Sequence, residues 1–141
     1  MDLDDIAEFT MLKYITDKKM DDFMEVNKKD FYINGAYLSK LLMVYYLHKE
    51  KGSCWEKDLL EAAIDRGGNK QRTSIIFHRM YNGRLVTRHD RSKILGYRFE
   101  VSNKGMHVLR QYTSWVREEQ RKYHYKLKVY NKEHREFEEK S

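Results

Sequence analysis

Apolar residues recur at helical spacing near the start of the chain. Ile6, Phe9, Leu12 and Ile15 follow one another at three-residue steps, and Asp2, Asp4 and Asp5 lie in the first turn, where the helix dipole favours negative charge. This predicts a helix over residues 3–15. Residues 18–31 are charged and show no period, with Met20, Phe23 and Met24 as apolar islands. From Ala36 to His48 the chain is apolar on most faces, which predicts a central buried helix closed near Gly52. Trp55 to Arg66 reads as another helix with Leu59, Leu60, Ala63 and Ile64 inward, ended by Gly67-Gly68. Asn69 is a good N-cap for a helix reaching about Tyr81. Its inner face would be Thr73, Ile76 and Met80, with Lys70, Gln71, Arg72, Ser74, Ile75, His78 and Arg79 outward.

Beyond Asn82-Gly83 the period changes from helical to alternating. Residues 85–89 and 97–101 read as two half-buried strands, joined by the basic, glycine-containing loop 90–96. Ser102 is an N-cap candidate for a last helix. From Met106 onward a seven-residue repeat runs through Leu109, Val116, Tyr123, Tyr130 and Phe137, while the companion seam, which includes Leu127, is mixed. A helix of about 30 residues would be roughly 45 Å long, more than a small domain covers. A second copy of the chain is the expected partner, through Leu109, Val116, Tyr123, Leu127 and Tyr130; folding back on the N-terminal segment is the alternative. The layout is thus 1–32 as an N-terminal helical segment for dimerisation, 33–103 as a core, and 104–141 as the long C-terminal helix. The fold class is mainly α with a small β-hairpin, an α+β arrangement. The lack of proline agrees with helices joined by short connections.

Charge sharpens this outline. The chain carries a net +6, but residues 66–98 alone carry nine bases and one acid, whereas residues 1–30 are net acidic. A concentrated basic stretch is the footprint of a polyanion partner. Helix, helix, turn, helix and a basic-tipped hairpin make the winged helix-turn-helix plan. In that plan the helix over 69–81 enters the major groove and the wing over 88–96 reaches the minor groove or backbone. The residues expected on DNA are Asn69, Lys70, Gln71, Arg72, Ser74, His78, Arg79, Arg88, His89, Arg91, Ser92 and Lys93. Arg66, Arg84 and Arg98 are weaker candidates, being at element ends or on a strand. Gly67-Gly68-Asn69-Lys70 lacks nucleotide-loop spacing and reads as the interhelical turn, offering amides to a DNA phosphate.

The stretch from Arg79-Met80-Tyr81-Asn82-Gly83-Arg84 to Val101-Ser102-Asn103-Lys104-Gly105 resembles bacterial winged-helix regulators of the MarR, SarA and PadR groups, over roughly residues 36–110. Val101–Gly105 looks like their Leu-Thr-x-x-Gly step into the last helix. The chain departs from the MarR wing signature: Asp90-Arg91 is present, but the second Asp-x-Arg pairing is missing. The glycine after the recognition helix stands one position early, with Arg84 in its place. The resemblance implies DNA binding by a homodimer built from N- and C-terminal helices.

Other chemistry is sparse. Six histidines share no close ligand spacing and Cys54 has no partner cysteine, so neither a metal nor a disulfide is expected. Cys54 reads as a small buried hydrophobe rather than a redox sensor. No catalytic motif is present, and neither an enzyme nor a cofactor is expected. Trp55, Trp115 and the tyrosines are ascribed to packing; the sequence assigns no small-molecule effector. The acidic start is unlike a signal or transit peptide, and no apolar run suits a membrane span, so a cytoplasmic, nucleoid-associated protein is expected. The expected function is that of a dimeric, sequence-specific double-stranded-DNA-binding regulator, most simply a repressor. A plasmid or phage partition or replication protein and a winged-helix protein-interaction module are the alternatives.

Overall fold

A computed structural model describes residues 2–12, Met20, Asp22 and 35–140, with side chains as far as Arg121. In chain order the elements are α1 (Leu3–Met11), α2 (Gly35–Lys51), β1 (Cys54–Trp55), α3 (Glu56–Asp65), α4 (Lys70–Asn82), β2 (Val86–Ser92), β3 (Gly96–Val101) and α5 (Asn103–Lys140). The chain is mainly helical, with one small antiparallel sheet in the order β1-β3-β2.

The centre is α2. Leu38, Leu41, Leu42, Met43, Val44 and Leu47 are buried on it, as its unbroken apolar run predicts. Around it pack α1, α3, α4, α5 and the sheet. Buried hydroxyls are satisfied within their own helices: Thr10 donates to the Ile6 carbonyl, Thr73 to Asn69 and Thr113 to Leu109. α1 is held to α2 at its first turn, where the Asp4 carboxylate takes the Tyr45 hydroxyl and the Lys49 ammonium. The Lys49 and Tyr45 bonds hold Asp4 below the usual carboxylate range, while burial and Asp4 push Tyr45 up to about 12.

Several boundaries differ from the expected ones. α1 closes at Leu12, and residues 13–15, like most of 18–31, lie outside the described residues. Trp55 belongs to a short strand rather than to α3: Cys54 and Trp55 pair with Phe99 and Arg98, a pairing too distant in sequence to leave a local pattern. Ile64 is 48% exposed instead of inward, because α3 buries the narrower stripe Leu59 and Ala63. On α4 Phe77 joins Thr73 and Met80 as a buried inner residue, with Ile76 only partly buried. Phe77 stacks on Phe99 of β3 with ring centroids 5.6 Å apart, pinning α4 to the sheet.

α3 and α4 end in the same motif with different residues. After α3, the amide of Gly67 donates to Ile64 and that of Gly68 to Ala63; after α4, Arg84 donates to Tyr81 and Leu85 to Met80. The motif requires a left-handed residue, supplied by Gly67 at φ +88° but by Arg84 at φ +62°. α5 then begins hard against this exit. The Ser102 amide donates to the Leu85 carbonyl at 3.0 Å, its hydroxyl donates to the Arg84 carbonyl, and the Lys104 ammonium donates to the Gly83 carbonyl at 3.0 Å. Ser102 Oγ also caps α5 by accepting from the Gly105 amide at 3.0 Å. A side chain at Gly105 would overlap the Leu85 carbonyl oxygen.

α5 has 38 residues, longer than the expected 30 or so, and spans about 57 Å. Its first turns pack on α1, α2 and β3, burying Val108, Leu109, Tyr112 and Thr113. No helix among the described residues is long and apolar enough to cross a membrane.

Gly105→Ala should lower stability by about 2 kcal/mol in urea unfolding, because backbone must shift to make room. Arg84→Gly should raise it by about 1 kcal/mol, by removing the cost of a side chain at positive φ.

Candidate nucleic-acid interface

The basic residues of 66–98 are sorted by the fold into distinct environments. Asn69 starts α4: its side-chain oxygen accepts from the amides of Gln71 at 2.8 Å and Arg72 at 3.1 Å. The amides of Gly67 and Gly68 are spent on α3 carbonyls. The interhelical turn therefore keeps little of the backbone donor capacity expected of it, and Asn69 acts as a cap. Lys70, Gln71, Arg72, His78 and Arg79 are exposed along one side of α4, with Ser74 half-buried beside them. The Arg79 guanidinium donates to the Tyr37 hydroxyl at 3.2 Å, which ties the last turn of this side to α2.

The hairpin does not present one uniform tip. β2 runs to Ser92 and β3 starts at Gly96, so Arg91 and Ser92 lie on a strand and the turn is only Lys93-Ile94-Leu95. Ser92 shapes that turn: its hydroxyl oxygen accepts from the amides of Ile94 at 3.2 Å and Leu95 at 3.1 Å. The Leu95 carbonyl accepts from the Lys57 amide at 3.0 Å, so the first turn of α3 braces the turn from below. Lys93 and Ile94 are left in the open, Ile94 at 79% exposure.

A bulge decides which charges sit together. Arg88 pairs with Phe99 and Arg91 with Tyr97, so three steps along β2 match two along β3. In a regular strand, residues three apart face opposite sides. The extra residue puts Arg88 and Arg91 on the same side, both over Tyr97. The Arg88 guanidinium lies 4.2 Å from the Tyr97 ring centroid and 4.0 Å from that of Tyr81, the penultimate residue of α4; Arg91 lies 5.4 Å from Tyr97. Arg88 is thus clasped between α4 and the sheet. Glu56, Ser74, Phe77, His78 and Phe99 complete a shallow crevice around this stack.

On the other side of the sheet the arginine is paired with carboxylates. Arg98 donates to Glu100 at 2.9 Å and to Asp90 at 3.3 Å, and His89 Nε2 lies 2.9 Å from Thr87 Oγ1 and 3.6 Å from Glu100. His89 therefore stands apart from Arg88 and Arg91, with which it was grouped. Arg66 donates to the Thr10 carbonyl of α1. The face that remains cationic comprises Lys70, Arg72, Arg79, Arg88, Arg91 and Lys93, on α4 and the hairpin.

Two exposed residues on this face, Tyr81 and Ile94, escaped the expected set, and so did Ile75, which was placed outward but given no role. Leu109 is fully buried within the core of the chain itself, so it does not offer the dimer contact expected of it. Val116 is half-buried and packs against the core edge. The side chains of Tyr123, Leu127 and Tyr130 lie outside the described residues, although α5 runs through them. Cys54 is buried, and burial pushes its thiol far up, leaving it in the unreactive protonated form. No cluster of three metal-ligating side chains exists among the described residues.

A double-mutant cycle on Tyr81→Ala and Arg88→Ala should give a coupling of about 0.5–1 kcal/mol in urea unfolding, the worth of a half-exposed cation–π contact. Additive effects would mean that the Tyr81–Arg88 contact contributes no stability. No protein-family model matches this chain, and no curated protein or solved structure was found to be similar to it.

Proposed function

We propose that α2, α3, α4 and the three-stranded sheet form a winged helix that binds double-stranded DNA, with α4 in the major groove and the β2–β3 hairpin as the wing. The single observation that carries this reading is that the cationic residues of one stretch converge on α4 and the adjoining hairpin, the two protruding elements suited to neighbouring grooves, while Arg66 and Arg98 turn to internal partners. Lys70, Arg72 and Arg79 would grip phosphates or guanines, Gln71, Ser74 and His78 would reach base edges, and Arg91 and Lys93 would follow the backbone or minor groove. Arg88, stacked between Tyr81 and Tyr97, would hold the wing at a set angle to α4.

The functional unit in this reading is a homodimer. α5 continues well past its buried turns, and its far part would pair with a second copy. Two α4 helices would then meet half-sites about 10 base pairs apart or a multiple of that. The protein would be a transcription regulator, most simply a repressor of the MarR, SarA or PadR type, working in the cytoplasm on the nucleoid.

Fluorescence anisotropy with a labelled random duplex at low salt tests the core claim. Binding below micromolar protein is expected, weakening steeply as salt rises, by nearly one unit of log–log slope for each phosphate contact. Arg72→Ala or Arg79→Ala should weaken binding at least about tenfold. Lys49→Ala should not, because Asp4 already matches that charge. The absence of any duplex binding by the wild-type chain would sink the reading.

A further inference from the structure

The outward side of α4 is polar except at its centre. Gln71 and Arg72 lie one turn before Ile75, and His78 and Arg79 lie one turn after it; all four are exposed. Ile75 itself is 51% exposed. It takes no part in the inner face, which Thr73, Phe77 and Met80 occupy. Isoleucine is a poor choice for this position on local grounds. Its β-branching lowers helix propensity, and half of its apolar surface is left in water. A helix that only gripped phosphates would gain more from lysine or arginine at the middle of its outward side.

The chemistry of base edges narrows what such a residue can meet. In the major groove the groups that identify a base are hydrogen-bond donors and acceptors and the C5 methyl of thymine; the remaining C–H edges, such as C5–H of cytosine, offer far less apolar surface. An isoleucine over guanine, adenine or cytosine would strip water from polar atoms and replace it with nothing. Over thymine, its methyl groups meet another methyl, and both leave water. We infer that Ile75 is a specificity-determining residue that packs on the methyl group of one thymine in each half-site, inside a ring of polar contacts from Gln71, Arg72, His78 and Arg79. This rests on the DNA-binding reading above and adds to it a base identity at one position.

The test removes the methyl and nothing else. Selection from a randomised duplex pool with the intact wild-type chain yields its preferred sequence, and uracil then replaces each thymine of that sequence in turn. At one position per half-site uracil should weaken wild-type binding about fourfold, the worth of one buried methyl group. Ile75→Ala should bind the thymine and uracil duplexes equally at that position, with a melting temperature no lower than the wild type's and the same salt slope. Ile75→Val should keep most of the discrimination. The inference is overturned if the wild-type chain distinguishes thymine from uracil nowhere, or if Ile75→Ala distinguishes them equally well. If the wild-type chain enriches no sequence at all, the DNA-recognition reading falls first and takes this inference with it.

Discussion

The chain leaving α4 and the first turn of α5 share one tight contact. A helix ends with carbonyls that its own backbone cannot satisfy, and the chain continuing from it exposes more. Here the carbonyls of Gly83, Arg84 and Leu85 are taken by Lys104 and Ser102, and Gly105 comes close enough to Leu85 to leave no space for a side chain. The end of α4, the start of β2 and the start of α5 are therefore one rigid joint. Every element of the cationic face hangs from it. α4 is set on one side, the hairpin on the other, and the long helix proposed to join two copies grows from the same point.

Within that frame, aromatic residues set the spacing between α4 and the sheet. Phe77 on Phe99 closes the interior side, and Tyr81, Arg88 and Tyr97 close the outer side. The bulge in β2 makes the second stack feasible by turning Arg88 and Arg91 to the same side. On the opposite side of the sheet Arg98 is paired with Asp90 and Glu100, and His89 lies beside Glu100. A long basic stretch is thereby divided into a cationic surface and one whose arginine is paired with carboxylates, separated by a single thickness of sheet.

Arg84 shows a local rule overridden by its surroundings. A left-handed residue at a helix exit is normally glycine, as at Gly67. At Arg84 the same two hydrogen bonds back into α4 form, and the position is also held from outside by the Ser102 hydroxyl on its carbonyl. That support offsets the conformational cost.

Much of this was legible in the chain itself. The apolar run of α2, the Asn69 cap, the Ser102 cap, the alternation of the hairpin and the clustering of bases all follow from local periods and propensities, which act between near neighbours. The burial of Cys54 follows equally from its apolar character. Other features depend on contacts between distant residues. β1 forms only because β3 arrives beside it, Phe77 rather than Ile76 is buried because Phe99 stacks against it, and Leu109 is spent on the core because the first turns of α5 pack on α1 and α2. Above all, a bulge has no period of its own. The sequence by itself determined how many charges the segment 66–98 carries and which helices and strands bear them. Only tertiary pairing, by inserting one extra residue into β2 and drawing Arg98 to Asp90 and Glu100, decided which of those charges share a surface.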